Sequence, residues 1–178
     1  MKIHIFGASG SGTTTLGKAL AQKLNYQHLD ADDYYWVKTN PPFQEKVPKI
    51  ARNARIKQDF WAKENSIISG SMVSWGKEWE KAFDLAVFLY LPTALRMQRL
   101  KQREKERYGK QLQTNPIFLA QSNAFLEWAN KYDEATFPGR SLTIHEAFME
   151  RLTCPVIRIE GATPLEESVE QVLKVLEN

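Results

Sequence analysis

The sequence predicts an α/β protein, a three-layer α/β/α arrangement around a five-stranded parallel sheet. Two observations predict it. Five short apolar runs alternate with longer amphipathic stretches. Each run is apolar on consecutive residues rather than alternate ones, the pattern of a strand covered on both faces.

Taken in order, the expected strands are 2–6 (KIHIF), 26–29 (YQHL), 66–69 (SIIS), 85–91 (LAVFLYL) and 155–159 (PVIRI). The expected helices are 13–24, about 47–63, 93–107, 116–132, 141–152 and 164–176. Prolines mark 38–48 (KTNPPFQEKVP) as a loop, and 108–116 (YGKQLQTNP) lacks periodicity. Both are candidates for mobile flaps over a site, or for ordinary surface connections. With 178 residues, one domain (1–178) is expected, burying about 70% of the surface its unfolded chain would expose.

Composition excludes several classes. The net charge of +3 and pI near 8.9 are too weak to imply a nucleic-acid partner. The single cysteine, Cys154, cannot form an internal disulfide and suits a reducing cytoplasm. His4, His28 and His145 are far apart with no cysteine pair beside them, so zinc is not expected. No apolar run approaches the roughly 20 residues that span a bilayer, so no membrane partner is expected either.

The most informative stretch follows the first strand. Gly7-Ala-Ser9-Gly10-Ser11-Gly12-Thr13-Thr14 fits G-x-x-x-x-G-K-[ST] at every position except the lysine, where Thr13 stands. A strand runs into it and a helix-like stretch, starting with Thr13, Thr14 and Thr15, leaves it. Glycines let successive amides turn inward as an anion nest, and a helix N-terminus adds partial positive charge. Neither contribution needs a lysine. Thr14 stands where a hydroxyl would hold Mg²⁺. The plain alternative is a glycine-rich turn without a ligand, which accounts poorly for three glycines and three threonines at this spacing.

Two groups could replace the missing charge. Lys18 shares a face with Thr14 but points away from the loop's mouth. Arg96, Arg99, Arg103 and Arg107, spaced three, four and four apart, fall within an arc of about 80° on one helix. Like charges so spaced destabilise an isolated helix. They make sense facing an anion, whose oxygens suit the planar donor fork of arginine. Glu104 and Glu106 flank the stripe and could instead make it a solvated, salt-bridged face.

Asp30, Asp32 and Asp33 fall at the expected end of the second strand, the edge where ligands collect in open α/β sheets. If the strand continued, Asp30 and Asp32 would point to one side and Asp33 to the other. One of them could hold Mg²⁺ or accept a proton from an acceptor hydroxyl. One of the three is also expected to cap a helix. Trp75, Trp79, Phe125, Trp128, Tyr132 and Phe137 are either core or an acceptor pocket. Arg140 and His145, in FPGRSLTIHE, are candidate substrate contacts, His145 more simply an ordinary helix residue.

The layout resembles the adenylate-kinase-like branch of P-loop small-molecule kinases (nucleoside and nucleotide kinases). The residues that carry the resemblance are GASGSGTTT, DADD, SGS, the arginine run ending in Tyr108-Gly109, and EGATP at 160–164. The resemblance implies the P-loop NTPase fold with a lid (about 103–116) and an acceptor-binding flap (about 34–60). It implies Mg·ATP phosphates on Gly10, Ser11, Gly12, Thr13 and Thr14, and Gly161 near adenine. Arg99, Arg103 and Arg107 would lie on the lid side, and Arg52 and Arg55 would face a small-molecule acceptor. The chain departs from the family at Thr13 and in lacking both a carboxylate after the third strand and D-G-x-P. The first bears on the rate of phosphoryl transfer; the other two argue against AMP as acceptor. The resemblance implies an ATP-dependent phosphotransferase. The alternative is a catalytically weak or inactive nucleotide-binding regulatory protein. A nucleic-acid binder finds little support, because no base-stacking motif accompanies the arginines. Oligomeric state is not legible.

Overall fold

The computed structural model describes residues 1–177. Its first strand, β1 (Lys2–Gly7), is buried along its whole length. There follow α1 (Thr13–Leu24), β2 (Gln27–Asp30), α2 (Ala31–Tyr35), α3 (Lys49–Ala62) and β3 (Ser66–Ser69). The second half comprises β4 (Leu85–Tyr90), α4 (Thr93–Tyr108), α5 (Gln111–Thr114), α6 (Pro116–Asn130), α7 (Leu142–Arg151), β5 (Val156–Glu160) and α8 (Leu165–Leu176). All strands are parallel, in the order β2-β3-β1-β4-β5. The strand that feeds the glycine-rich loop is therefore central, hydrogen-bonded to β3 on one side and β4 on the other.

Alternation along β1 sends side chains into two separate apolar layers. Ile3 and Ile5 join Leu16 and Leu20 of α1 and Val172 of α8 on one face. Phe6 joins Phe88, Phe60, Trp79 and Phe148 on the other. Each fully buried large side chain contributes about 1.5–3 kcal/mol. His4 lies in the second layer, 0% exposed, its ring stacked at 4.6 Å on both Phe6 and Phe83.

One of the three clustered aspartates caps a helix, as expected: Asp30 ends β2 and caps α2, its side chain accepting from the Asp32 amide. Two other expectations need correction. Residues 108–116 are not all irregular, since α5 occupies Gln111–Thr114. The sixth helix stops at Asn130, where a 3₁₀ turn (Lys131–Asp133) takes over. Among the described residues, no helix is long and apolar enough to cross a membrane.

Candidate active site

The loop between β1 and α1 is shaped by its glycines. A Cβ at Gly7 would run into the Leu89 carbonyl oxygen of β4 and sit 2.7 Å from Ser11 Oγ. Gly12 adopts φ 101°, a left-handed conformation that a side chain resists, and no side chain caps the helix that starts after it. The amides of the first turn of α1 thus lack side-chain acceptors. Ser11 Oγ, close by, is buried without a partner. Unmet donors on a tight loop at a helix N-terminus fit a phosphate chain.

This loop lines a cavity of about 490 Å³. Gly7, Ser9, Gly10, Ser11, Gly12, Thr13, Thr14 and Thr15 all contribute, as do Asp30 and Asp32. The cations in its wall are Arg99, Arg103 and Arg140, and no lysine is among the described residues lining it. Arg140 comes from the segment before α7 and donates to Ser9 Oγ at 3.0 Å. Its guanidinium also lies 5.0 Å from the Trp128 ring centre. Arg103 is wet within the cleft but walled in; enclosure and the neighbouring Arg107 charge pull its pKa down.

The Thr14 hydroxyl donates to Asp30 Oδ2 at 2.7 Å, while Asp30 Oδ1 holds the Asp32 amide at 3.0 Å. Asp32 is open to cleft water with walls around it. Enclosure, then the Asp30 charge, push its carboxyl above the usual range, against Arg140, Arg103 and Arg107. Among the described residues no three His, Cys, Asp or Glu side chains gather as a metal cage. Thr14, Asp30 and Asp32 offer only oxygens. That fits Mg²⁺, which binds through few protein oxygens and keeps waters and phosphate oxygens for the rest.

A second cavity, about 830 Å³, shares Ser9, Asp32, Ser71, Arg103 and Arg140 with the first. Its walls are aromatic: Tyr35, Trp36, Phe43, Trp75, Phe125 and Trp128. Arg107 lines it too, paired with the buried Glu104 at 3.0 Å and lying 4.3 Å from the Phe43 ring centre. The segment between α2 and α3 closes on itself through an isolated antiparallel bridge, Trp36 with Lys46. It touches α4 where the Tyr108 hydroxyl donates to the Pro42 carbonyl at 3.3 Å.

Several sequence candidates lie elsewhere. Arg96 is 0% exposed and donates to the Leu91 and Ala129 carbonyls, Thr93 Oγ1 and Asp133, so its charge faces no anion site. Asp33 and Arg55 are exposed and line neither cavity. Arg52 is buried between Tyr35 and Trp75, 4.2 and 4.6 Å from their ring centres, behind the cavity wall. Gly161 lines neither cavity; Thr163 lies nearer the loop. Trp79 and Tyr132 belong to the interior, and Phe137 is outside both linings. His145 is wholly buried. Trp36 and Phe43 line the second cavity without any motif of their own; for Trp36 the available signal is the aromatic run 34–36 beside the acidic cluster.

A central parallel strand, a glycine-rich loop and an uncapped helix start define a P-loop protein of the α/β class. Comparison with known proteins narrows this. A family model described as an AAA domain matches residues 3–124. The uncharacterized protein YqaC of Bacillus subtilis (strain 168) is 42% identical over 174 residues, covering 98% of this chain and 96% of that one. A shikimate kinase of Thermosynechococcus vestitus is 27% identical over 171 residues, covering 85% and 90%. A deoxyadenosine kinase from M. mycoides, solved with dCMP and dCDP bound, superposes with a TM-score of 0.58 at 17% identity, covering 99% of each chain. The chain belongs to the AAA-domain family, and it is similar in sequence and fold to P-loop nucleotide and small-molecule kinases.

Proposed function

We propose that the protein is a Mg²⁺-dependent phosphotransferase that moves a phosphoryl group from ATP to a small-molecule hydroxyl. One observation carries the reading: the loop cavity and the aromatic cavity meet at Ser9, Asp32, Ser71, Arg103 and Arg140. A phosphoryl group passing between two substrates crosses that boundary, between two guanidiniums and one carboxylate.

Mg·ATP supplies the phosphoryl group when bound. The loop, residues 7–15, holds the phosphate chain through its amides and hydroxyls. Thr14, with Asp30, holds Mg²⁺, which leaves the Asp32 carboxylate off the metal. Arg99, Arg103 and Arg140 supply the positive charge that Thr13 does not, and Arg103 and Arg140 neutralise charge developing at the boundary. Asp32 accepts the proton of the acceptor hydroxyl; its raised pKa makes it a better base than an ordinary carboxylate. Residues 103–116 serve as the lid and 34–60 as the acceptor flap. The half-buried Cys154, whose thiol is pushed up by burial, fits a reducing cytoplasm.

Thr13 favours a second reading, a nucleotide-binding regulatory protein that binds without turnover. Titration calorimetry with Mg·ATP, beside Thr13→Lys, tests the site. Saturable binding by the wild type supports the arginines as the replacement charge. Binding only by Thr13→Lys would overturn that assignment. Screening hydroxyl acceptors for ADP release then separates kinase from regulator.

A further inference from the structure

Ser71 follows β3 at the boundary of the two cavities. Its hydroxyl lies 2.8 Å from His145 Nε2, and the other ring nitrogen, Nδ1, lies 2.7 Å from the Tyr132 hydroxyl. His145 is 0% exposed and Tyr132 3% exposed. The three side chains form one line running from the interior to the cleft. The proposed transfer chemistry uses neither His145 nor Tyr132.

The direction of this line follows from counting protons. Burial, with the nearby Arg140 charge, holds His145 far below its ordinary pKa, so the ring is neutral and carries one N–H. Burial pushes the Tyr132 phenol up, so it keeps its proton. Among the described residues, His145 Nδ1 is the one acceptor within reach of that phenol. Were Nδ1 protonated instead, it would donate to the Tyr132 oxygen and strand the phenolic proton in the interior. A buried unmet donor costs about 1–3 kcal/mol. Tyr132 therefore donates to Nδ1, the ring proton sits on Nε2, and Nε2–H donates to Ser71 Oγ. Among the described residues the serine's own proton has no acceptor, and it is left for the cleft.

We infer that Ser71 is a ligand-binding residue whose hydroxyl donates a hydrogen bond to the γ-phosphoryl group of bound ATP, which ADP lacks, with His145 and Tyr132 as positioning residues that fix its direction. The inference rests on the nucleotide-binding reading above. The boundary's charges choose the ligand atom: Arg103 and Arg140 draw an anion there, and a serine locked as donor complements an anionic oxygen. A serine free to rotate could equally accept from a hydroxyl; the line removes that freedom.

Titration calorimetry with Mg·ADP and Mg·ATP as paired probes tests this. Ser71→Ala is expected to leave Mg·ADP affinity within about twofold and to cut the preference for ATP over ADP by about tenfold. Tyr132→Phe removes the donor to Nδ1, so either tautomer leaves one side of the ring unmet, the proton is no longer held on Nε2, and Ser71 is free to turn its proton inward. That variant is expected to lose part of the same ATP preference although Ser71 is intact. Intact Mg·ADP binding shows that each variant is folded. In the wild type, ring-nitrogen NMR is expected to show His145 protonated on Nε2 at neutral pH. An unchanged ATP-over-ADP ratio in Ser71→Ala, or protonation on Nδ1, overturns the inference while the loop site stands. Absence of binding by both nucleotides to the wild type overturns the nucleotide reading and this inference with it. If either variant also loses Mg·ADP binding, the wild-type NMR tautomer decides.

Discussion

Arg140 reaches across 131 residues of chain to donate a hydrogen bond to Ser9 Oγ, joining the segment before α7 to the loop after β1. The contact puts a guanidinium at the loop's mouth without using the position that Thr13 fills. Arg140→Ala is expected to weaken Mg·ATP binding by about tenfold to a hundredfold, the worth of a charge-assisted hydrogen bond. Arg140→Lys is expected to recover part of this, since it restores charge but not the fork. Calorimetry reads both, with circular dichroism as the control for folding. Unchanged affinity in Arg140→Ala would remove this residue from the site.

Asp32 sets an expected pH dependence. Its carboxyl titrates above the usual range because of enclosure and the Asp30 charge. A base must be ionised to work, so turnover is expected to fall as pH drops through that raised pKa. The acid limb of kcat/KM should lie above about 4, where an ordinary aspartate titrates. Asp32→Asn should lower kcat by a hundredfold or more, on the order of a lost general base. The assay is phosphoryl transfer to an acceptor found by screening. An acid limb at or below the ordinary range would remove Asp32 as the base.

Two arginines one turn apart should behave oppositely. Arg96 is enclosed and meets four protein oxygens, one of them on Asp133 at 3.1 Å. Arg96→Ala strands those partners and is expected to cost about 3–5 kcal/mol in urea denaturation. Arg99 is exposed at the loop cavity. Arg99→Ala is expected to leave stability within about 0.5 kcal/mol and to weaken Mg·ATP binding instead. Equal stability losses would contradict the division.

This pair also shows what a sequence can and cannot carry. Helical spacing places Arg96, Arg99, Arg103 and Arg107 on one stripe, and they do share one. Spacing gives an angle, not a depth: the start of α4 lies under Ala129 and Asp133, and only further along does the stripe emerge over the cleft. The strands are legible because β1, β3 and β4 are buried almost throughout, which makes β4 (LAVFLY) continuously apolar and leaves short apolar segments in β1 and β3 between the buried polar residues Lys2, His4, Ser66 and Ser69. The five-residue α2 was not, because one turn has no period to read; its sign is the Asp30 cap. The pairing of Ser71 with His145 spans 74 residues and leaves no local trace.

Stability should also depend on pH through His4. Burial holds its folded pKa at about 4, against 6.5 for an ordinary histidine. Between those values the unfolded chain binds a proton that the folded chain refuses. Stability is therefore complete above about 6.5 and falls as pH drops towards about 4, by about 3 kcal/mol from this group. His145, also lowered by burial, acts in the same direction. Urea midpoints at pH 7 and pH 4.5 read the difference. His4→Phe, which keeps the stack on Phe6 and Phe83, should flatten it. A slope unchanged in that variant would exclude His4 as its source.

The central place of β1 has a kinetic side. A strand laddered on both flanks and buried on both faces exchanges its amide hydrogens only when the whole sheet opens. The glycine-rich loop hangs from the end of that strand and is pinned by the Leu89 carbonyl of the next one. Its conformational search is finished before any ligand arrives. On the reading proposed above, the ordering that ATP binding still demands falls on α4 and the proline-rich segment 38–48, and docking at the loop itself is expected to be fast.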